Sequence, residues 1–221
     1  MRLDEEYCLS EYVDLGRLGD NEKVHIVRNQ VNGVIGVRKY VALDLEEIYL
    51  FLKENPNAYI PKIYECIQTD TNLIVIEEYL SGKNLEEMLK EKYFSEKDAA
   101  DIIICLCNAL YPLHHAKMPV ICRDLKAENV ILTNEGEVKL VDFDIARIYQ
   151  PGKSKDTVMM GTQGYAAPEQ FGFGQTDART DIYAMGVLLN YMLVREFPME
   201  KLTEGKFRTI VLKCIKINPE D

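Results

Sequence analysis

The stretch Cys122-Arg123-Asp124-Leu125-Lys126-Ala127-Glu128-Asn129, with Asp142-Phe143-Asp144 beginning thirteen residues after Asn129, decides how the rest of the chain is read. Asp124 can accept a proton from an attacking hydroxyl, and Lys126 can neutralise charge on a moving phosphoryl group. Asn129 and Asp142 offer the hard oxygens that magnesium prefers. A polar loop with capping residues, followed by a strand end, would account for either half alone. Both halves in one chain point to phosphoryl transfer.

Composition bounds what can surround that stretch. The chain has 221 residues, 47% apolar and 28% charged, with 13 Gly and 8 Pro, which excludes disordered, collagen-like and disulfide-scaffold classes. One domain, or two small lobes, fits the length. The formal net charge of −10 argues against broad attraction to nucleic acid or anionic membrane, so a phosphate-bearing ligand must be held by local groups. The apolar stretches Ile102 to Cys107 and Gly186 to Val194 are far too short to span a bilayer, and the N-terminus shows no signal segment. A cytoplasmic protein with no membrane segment within these residues is the expectation. The six cysteines show no zinc spacing and are expected to be reduced and mostly buried.

Outward from the motif, the first third reads as strands. Val24 to Val27 alternates, Asn32-Gly33 is a two-residue hairpin signal, and Val34 to Val41 returns. Asp44 with Glu47 predicts a capping box ahead of Leu45, Ile48 and Leu52 at helical spacing, ended by Asn55-Pro56-Asn57. Strands follow over Ile63 to Gln68 and Leu73 to Tyr79. After Ser81-Gly82 the pattern becomes helical, with caps at Asn84/Glu87 and Ser95/Asp98. Ala99, Ile102, Ile103, Leu106, Leu110 and Leu113 are expected to form one buried stripe. A ribbon, Val130 to Thr133 and Val138 to Val141, interrupts the helices, and Thr180 to Val194 is a further apolar helix. Ile145 to Glu169 lacks periodicity, which in a compact domain marks functional chain.

At Cys122 to Asn129, at Asp142 to Asp144 and at Ala167-Pro168-Glu169, the chain resembles the eukaryotic-type (Hanks-type) protein serine/threonine kinases, whose pattern is HRDLxxxN, DFG and APE. Gly161-Thr162-Gln163-Gly164-Tyr165-Ala166-Ala167-Pro168-Glu169 is similar to bacterial members, and Asp181 to Gly186 matches the start of the family's central helix. The resemblance runs from about Val13 to the last residue. It implies an α+β, two-lobed protein-kinase-like fold. A small antiparallel β-sheet lobe with one helix would occupy residues 1–79, and a larger, mainly helical lobe residues 80–221.

The resemblance assigns roles residue by residue. Asp124 would be the base, Lys126 the γ-phosphate partner and sign of Ser/Thr substrates, and Asn129 and Asp142 the magnesium ligands. Thr162 would bond the catalytic aspartate beside Tyr165, favouring a protein substrate. Arg38 and Lys39 are adjacent, so only one faces the nucleotide. A two-residue Asn32-Gly33 turn opposes Val31 to Val34 and pairs Val24, the adenine roof, with Val41. Ile35, Val37 and Lys39 then share the inner face. Lys39 is thus expected on the α/β-phosphates of ATP, partnered by Glu47. The backbone of Glu78 and Leu80 would meet adenine. Glu77 would hold the gatekeeper position, binding adenine's amino group or pairing with a cation. Gly19, Val24, Val37 and Ile131 complete the expected nucleotide contacts.

Several positions depart from the pattern. The phosphate-covering loop carries Arg17, Gly19 and Glu22 where three glycines stand in the family, and Asp20 adds negative charge, so weak ATP affinity is expected. Cys122, Ala127 and Asp144 replace His, Pro and Gly. Arg123 would receive a phosphate from Thr157 or Ser154 by autophosphorylation. Glu169 would pair with an arginine expected just after Asn218-Pro219-Glu220-Asp221, so the helical lobe is expected to be incomplete. The alternative to a kinase acting on proteins is a pseudokinase-like nucleotide-binding or interaction module. A small-molecule phosphotransferase would share the base and metal residues but lack the Gly161 to Glu169 segment.

Overall fold

Alternating apolar residues in the first third build a five-stranded antiparallel sheet in a computed structural model that describes residues 3–19, 22–152, 160–172 and 174–220. A helix α1, Leu3–Ser10, precedes β1, Tyr12–Arg17, β2, Val24–Asn29, and β3, Ile35–Val41. Helix α2, Glu46–Glu54, then leads to β4, Ile63–Gln68, and β5, Leu73–Glu78; the strand order is β1-β2-β3-β5-β4. β5 is paired on both sides and reads Leu-Ile-Val-Ile-Glu-Glu, buried from Leu73 through Glu77. This is the first of two compact units, divided between Ser81 and Gly82, against 79/80 expected from the sequence.

Three details of this unit differ from the expectations. The β2–β3 connection is not a two-residue turn. Asn29 N–H donates to Val34 O (2.9 Å), and the Asn29 side-chain oxygen accepts from the amides of Val31 (2.9 Å) and Asn32 (3.1 Å). This side-chain turn spends 30–33 on the loop and pairs Val24 with Lys39 instead of Val41. A shift of two residues leaves every side chain on its face, so Lys39 still lies on Val24's side. Asp44 caps nothing: a 3-10 turn over Leu43–Leu45 already has helical backbone, so α2 starts at Glu46 with no side-chain cap. Helix α1 is an addition to the one helix expected here.

The second unit opens with β6, Gly82–Asn84, and α3, Leu85–Glu91, where Asn84 and Glu87 form a capping box. Ser95 and Asp98 do the same for α4, Glu96–His114, whose Ala99, Ile102, Leu106, Ala109, Leu110 and Leu113 are buried. Short strands β7, Val120–Ile121, β8, Val130–Thr133, β9, Val138–Leu140, and β10, Arg147–Ile148, follow; β6-β8-β9 form one small sheet and β10-β7 another. Helix α5, Ala178–Val194, capped by Asp177, and α6, Gly205–Cys214, complete the unit. Among the described residues no helix is long and apolar enough to cross a membrane. All six cysteines are free, but only Cys122 is buried and Cys107 is exposed, so "mostly buried" is corrected: the other four are half-buried.

One buried carboxylate organises this unit. Asp181, on α5 and 0% exposed, accepts from Cys122 N (2.9 Å) and Arg123 N (2.8 Å), and lies 2.7 Å from His114 Nε2 at the end of α4. Asp181→Asn keeps the shape but turns an amide toward these donors, and is expected to cost roughly 3 kcal/mol or more. Leu106→Ala, at a site with 0% exposure, should cost roughly 3–5 kcal/mol, whereas Ile104→Ala, 57% exposed on the same helix, should stay within about 0.5 kcal/mol. Thermal melting of the three variants checks this order.

Candidate active site

The backbone that follows Ile121 turns sharply, and Arg123 takes a left-handed conformation (φ 69) held by Asp181. Asp142 shares it (φ 68), and the only other described non-glycine residue at positive φ is Arg195, the αL cap of α5. Left-handed backbone at two such residues costs energy that the surroundings must offset, as functional sites commonly do.

Asp124 stands directly after Arg123, its side chain 12% exposed. Its Oδ2 lies 2.7 Å from Lys126 Nζ and accepts from Asn129 Nδ2 (2.9 Å), while its Oδ1 accepts from Thr162 Oγ1 (2.7 Å). Lys126 Nζ also donates to Thr162 Oγ1 (3.1 Å), and Asn129 Nδ2 to the Asp124 carbonyl (2.9 Å). Three residues, two from the same turn and Thr162 from the loop after residue 160, thus fix one carboxylate. Val141 N donates to Asn129 O (2.9 Å), which sets Asp142 beside Asn129. Of the expected set in this unit, Asp124, Lys126, Asn129 and Thr162 are bonded to one another; Ile131 is half-buried on β8.

The donor set fits magnesium. Asn129 spends its amide nitrogen on Asp124, which leaves its oxygen suited to a metal, and Asp142 Oδ1 accepts one backbone amide among the described residues, that of Asp144 (3.1 Å). Two hard oxygens are what an ion otherwise ligated by phosphate and water requires. Among the described residues no cluster of three His, Cys, Asp or Glu forms a self-sufficient metal cage.

The loop after residue 160 is tied to the same place. Gln170 Nε2 donates to Arg123 O (2.9 Å) and Met160 O (2.8 Å). Tyr165 packs edge-on against Phe197 and Tyr191, and burial pushes its hydroxyl pKa up. Glu169, expected to await an arginine, accepts from Thr180 Oγ1 (2.6 Å). Burial, then the Asp181 charge, raises the Cys122 thiol, which stays neutral where the family has histidine. His114 and Gln170 were not foreseen; His114 ends an amphipathic helix, and nothing in its spacing marks it as a partner of Asp181. Thr157 and Ser154 lie outside the described residues.

In the first unit the register places Val37 opposite Glu77 and Lys39 opposite Val75, so all four share one face of the sheet. Val37, Lys39 and Glu77 are buried, and Val24 and Leu80 half-buried. The expected Lys39–Glu47 pair is not formed. Lys39 Nζ lies 2.7 Å from Glu77 Oε1, while Glu47 is exposed in the first turn of α2, where its charge favours the helix N-terminus. Glu78 N donates to Lys62 O (2.8 Å). Gly19 is exposed at φ 66, and Arg17 pairs with Glu22 (3.2 Å), both highly exposed; Asp20 lies outside the described residues.

A family model described as "Protein kinase domain" matches residues 27–220. Among curated proteins, the chain is 38% identical over 130 residues to the probable serine/threonine-protein kinase PknB of Corynebacterium glutamicum, covering 57% of this chain and 20% of that protein. It is 29% identical over 224 residues to protein kinase C zeta type of Oryctolagus cuniculus, covering 92% and 37%. It is 27% identical over 206 residues to the mitogen-activated protein kinase kinase SIPKK of Nicotiana tabacum, covering 88% and 57%. The chain therefore spans from a fifth to just over half the length of these relatives. With the kinase match extending over most of its length and the loop geometry above, the chain belongs to the protein kinase domain family, among the eukaryotic-type serine/threonine kinases.

Proposed function

We infer that this chain transfers the γ-phosphate of ATP to a serine or threonine hydroxyl of a protein. The observation that carries the reading is the convergence of Lys126, Asn129 and Thr162 on the Asp124 carboxylate. A base held by three donors in one rotamer is pre-oriented to receive a hydroxyl proton, so little reorganisation is left for the transition state. Lys126, within 3.1 Å of both Asp124 and Thr162, brings positive charge to where the phosphoryl group moves. Its presence two residues after the base supports Ser/Thr acceptors, and the name of the Corynebacterium glutamicum relative points the same way.

Asn129 and Asp142 would hold magnesium, which neutralises charge on the phosphate oxygens when bound. Lys39 would hold the α/β-phosphates, Val24, Val37 and Ile131 would enclose adenine, and the backbone of Glu78 and Leu80 would bond its edge, with Gly19 in the loop over the phosphates. The Tyr165, Phe197 and Tyr191 cluster supports a peptide-docking role for the loop at Thr162. Thr157 or Ser154 remains the proposed autophosphorylation position facing Arg123. A nucleotide-binding interaction module without transfer is the second reading, favoured by Arg17 and Glu22 at glycine positions.

Asp124→Asn separates the two. It preserves size and the bond from Thr162 but cannot accept the proton, so phosphate incorporation from labelled ATP should fall by roughly 10²–10⁴-fold; its amide faces Lys126 and Asn129, so Tm should fall by a few degrees while the unfolding stays cooperative, and activity is compared per folded chain. Equal incorporation in wild type and variant would exclude Asp124 as the base.

A further inference from the structure

The partner of Lys39 is a strand residue where a helix residue was expected. β5 is hydrogen-bonded to β3 on one side and to β4 on the other, with Glu77 opposite Val37 and Ile63 respectively. Lys39 faces Val75, so Glu77 is its diagonal neighbour on the same face, within reach of long side chains. Both side chains are withdrawn from water, 11% and 9% exposed, at a separation of 2.7 Å. Burying an ammonium requires a compensating charge, and Glu77 supplies it.

The carrier of that charge matters mechanically. A glutamate on α2 could move away with its helix, because α2 is not part of the sheet's hydrogen-bonded ladders. The backbone of Glu77 is held in ladders on two sides, so the root of its side chain stays fixed.

We propose that Glu77 is the positioning residue for Lys39, fixing the ammonium toward the nucleotide phosphates in a way built into the sheet and independent of Glu47. The proposal rests on the kinase reading only for the identity of the phosphates; the ion pair itself is made by these two side chains. A glutamate at this position thus acts on the phosphate end of ATP through Lys39, and not on adenine.

The test has two readouts on the same purified chain. In the first, nucleotide-free melting of Glu77→Gln, Glu47→Gln, Lys39→Met and the two double variants measures coupling. Lys39→Met is expected to be non-additive with Glu77→Gln, since each single change strands a buried partner, and additive with Glu47→Gln. Additivity with Glu77→Gln would overturn the pair. In the second, Glu77→Gln should raise Kd and KM for MgATP about tenfold while kcat stays within about threefold, as expected for loss of uniform binding. Glu47→Gln should change neither by more than about twofold. A Glu77→Gln chain that binds MgATP as well as or better than wild type, with the coupling present, would overturn the positioning role alone. A wild type that binds no MgATP would overturn the kinase reading and the positioning role with it, while the melting cycle still decides the pair.

Discussion

A single carboxylate withdrawn entirely from water, Asp181, holds the chain where its chemistry is concentrated. It gathers two successive backbone amides, of Cys122 and Arg123, and the ring of His114. Backbone donors that are buried without acceptors are costly, and Arg123 adds the cost of left-handed backbone. Asp181 offsets both from a helix packed in the core. Because Asp124 is the next residue, its direction is set by that same turn, and Lys126, Asn129 and Thr162 then lock its carboxylate. Gln170 reinforces the turn from the opposite side by bonding the Arg123 carbonyl. Positioning is thereby transferred from buried helix to turn to reactive side chain.

In the first unit the sheet does comparable work. Pleat alternation puts Val24, Val37, Lys39 and Glu77 on one face, and the two-sided pairing of β5 makes that face rigid. A buried lysine needs an anion, and the nearest one fixed in the ladder takes the role. The exposed pair Arg17–Glu22 in the preceding loop is worth little by comparison, because water screens both ends.

Local chemistry made much of this legible in the sequence. The capping boxes at Asn84/Glu87 and Ser95/Asp98 were readable because a cap depends on residues three apart. The stripe of α4 was readable from its period. The same local logic failed at Asp44, already inside a 3-10 turn, and at Asn32-Gly33, where Asn29 captured the amides a tight turn would have needed. The face of Lys39 survived that error because strand faces repeat every two residues. Its partner did not, since choosing between Glu47 and Glu77 depends on which carboxylate is buried, a tertiary fact. Thr162 was readable from motif resemblance, whereas the contacts of His114 with Asp181 and of Gln170 with the Arg123 carbonyl link residues 67 and 47 positions apart and leave no local trace.

The proposed metal site has Asn129 and Asp142 presenting their oxygens together at the Asp124 turn to a metal-bound triphosphate. Manganese substitutes for magnesium and broadens nearby nuclear resonances, so titrating it with a non-hydrolysable ATP analogue locates the metal directly. The account predicts broadening centred on the signals of Asn129 and Asp142, abolished by Asp142→Ala. Broadening centred elsewhere, or unchanged in that variant, would contradict it.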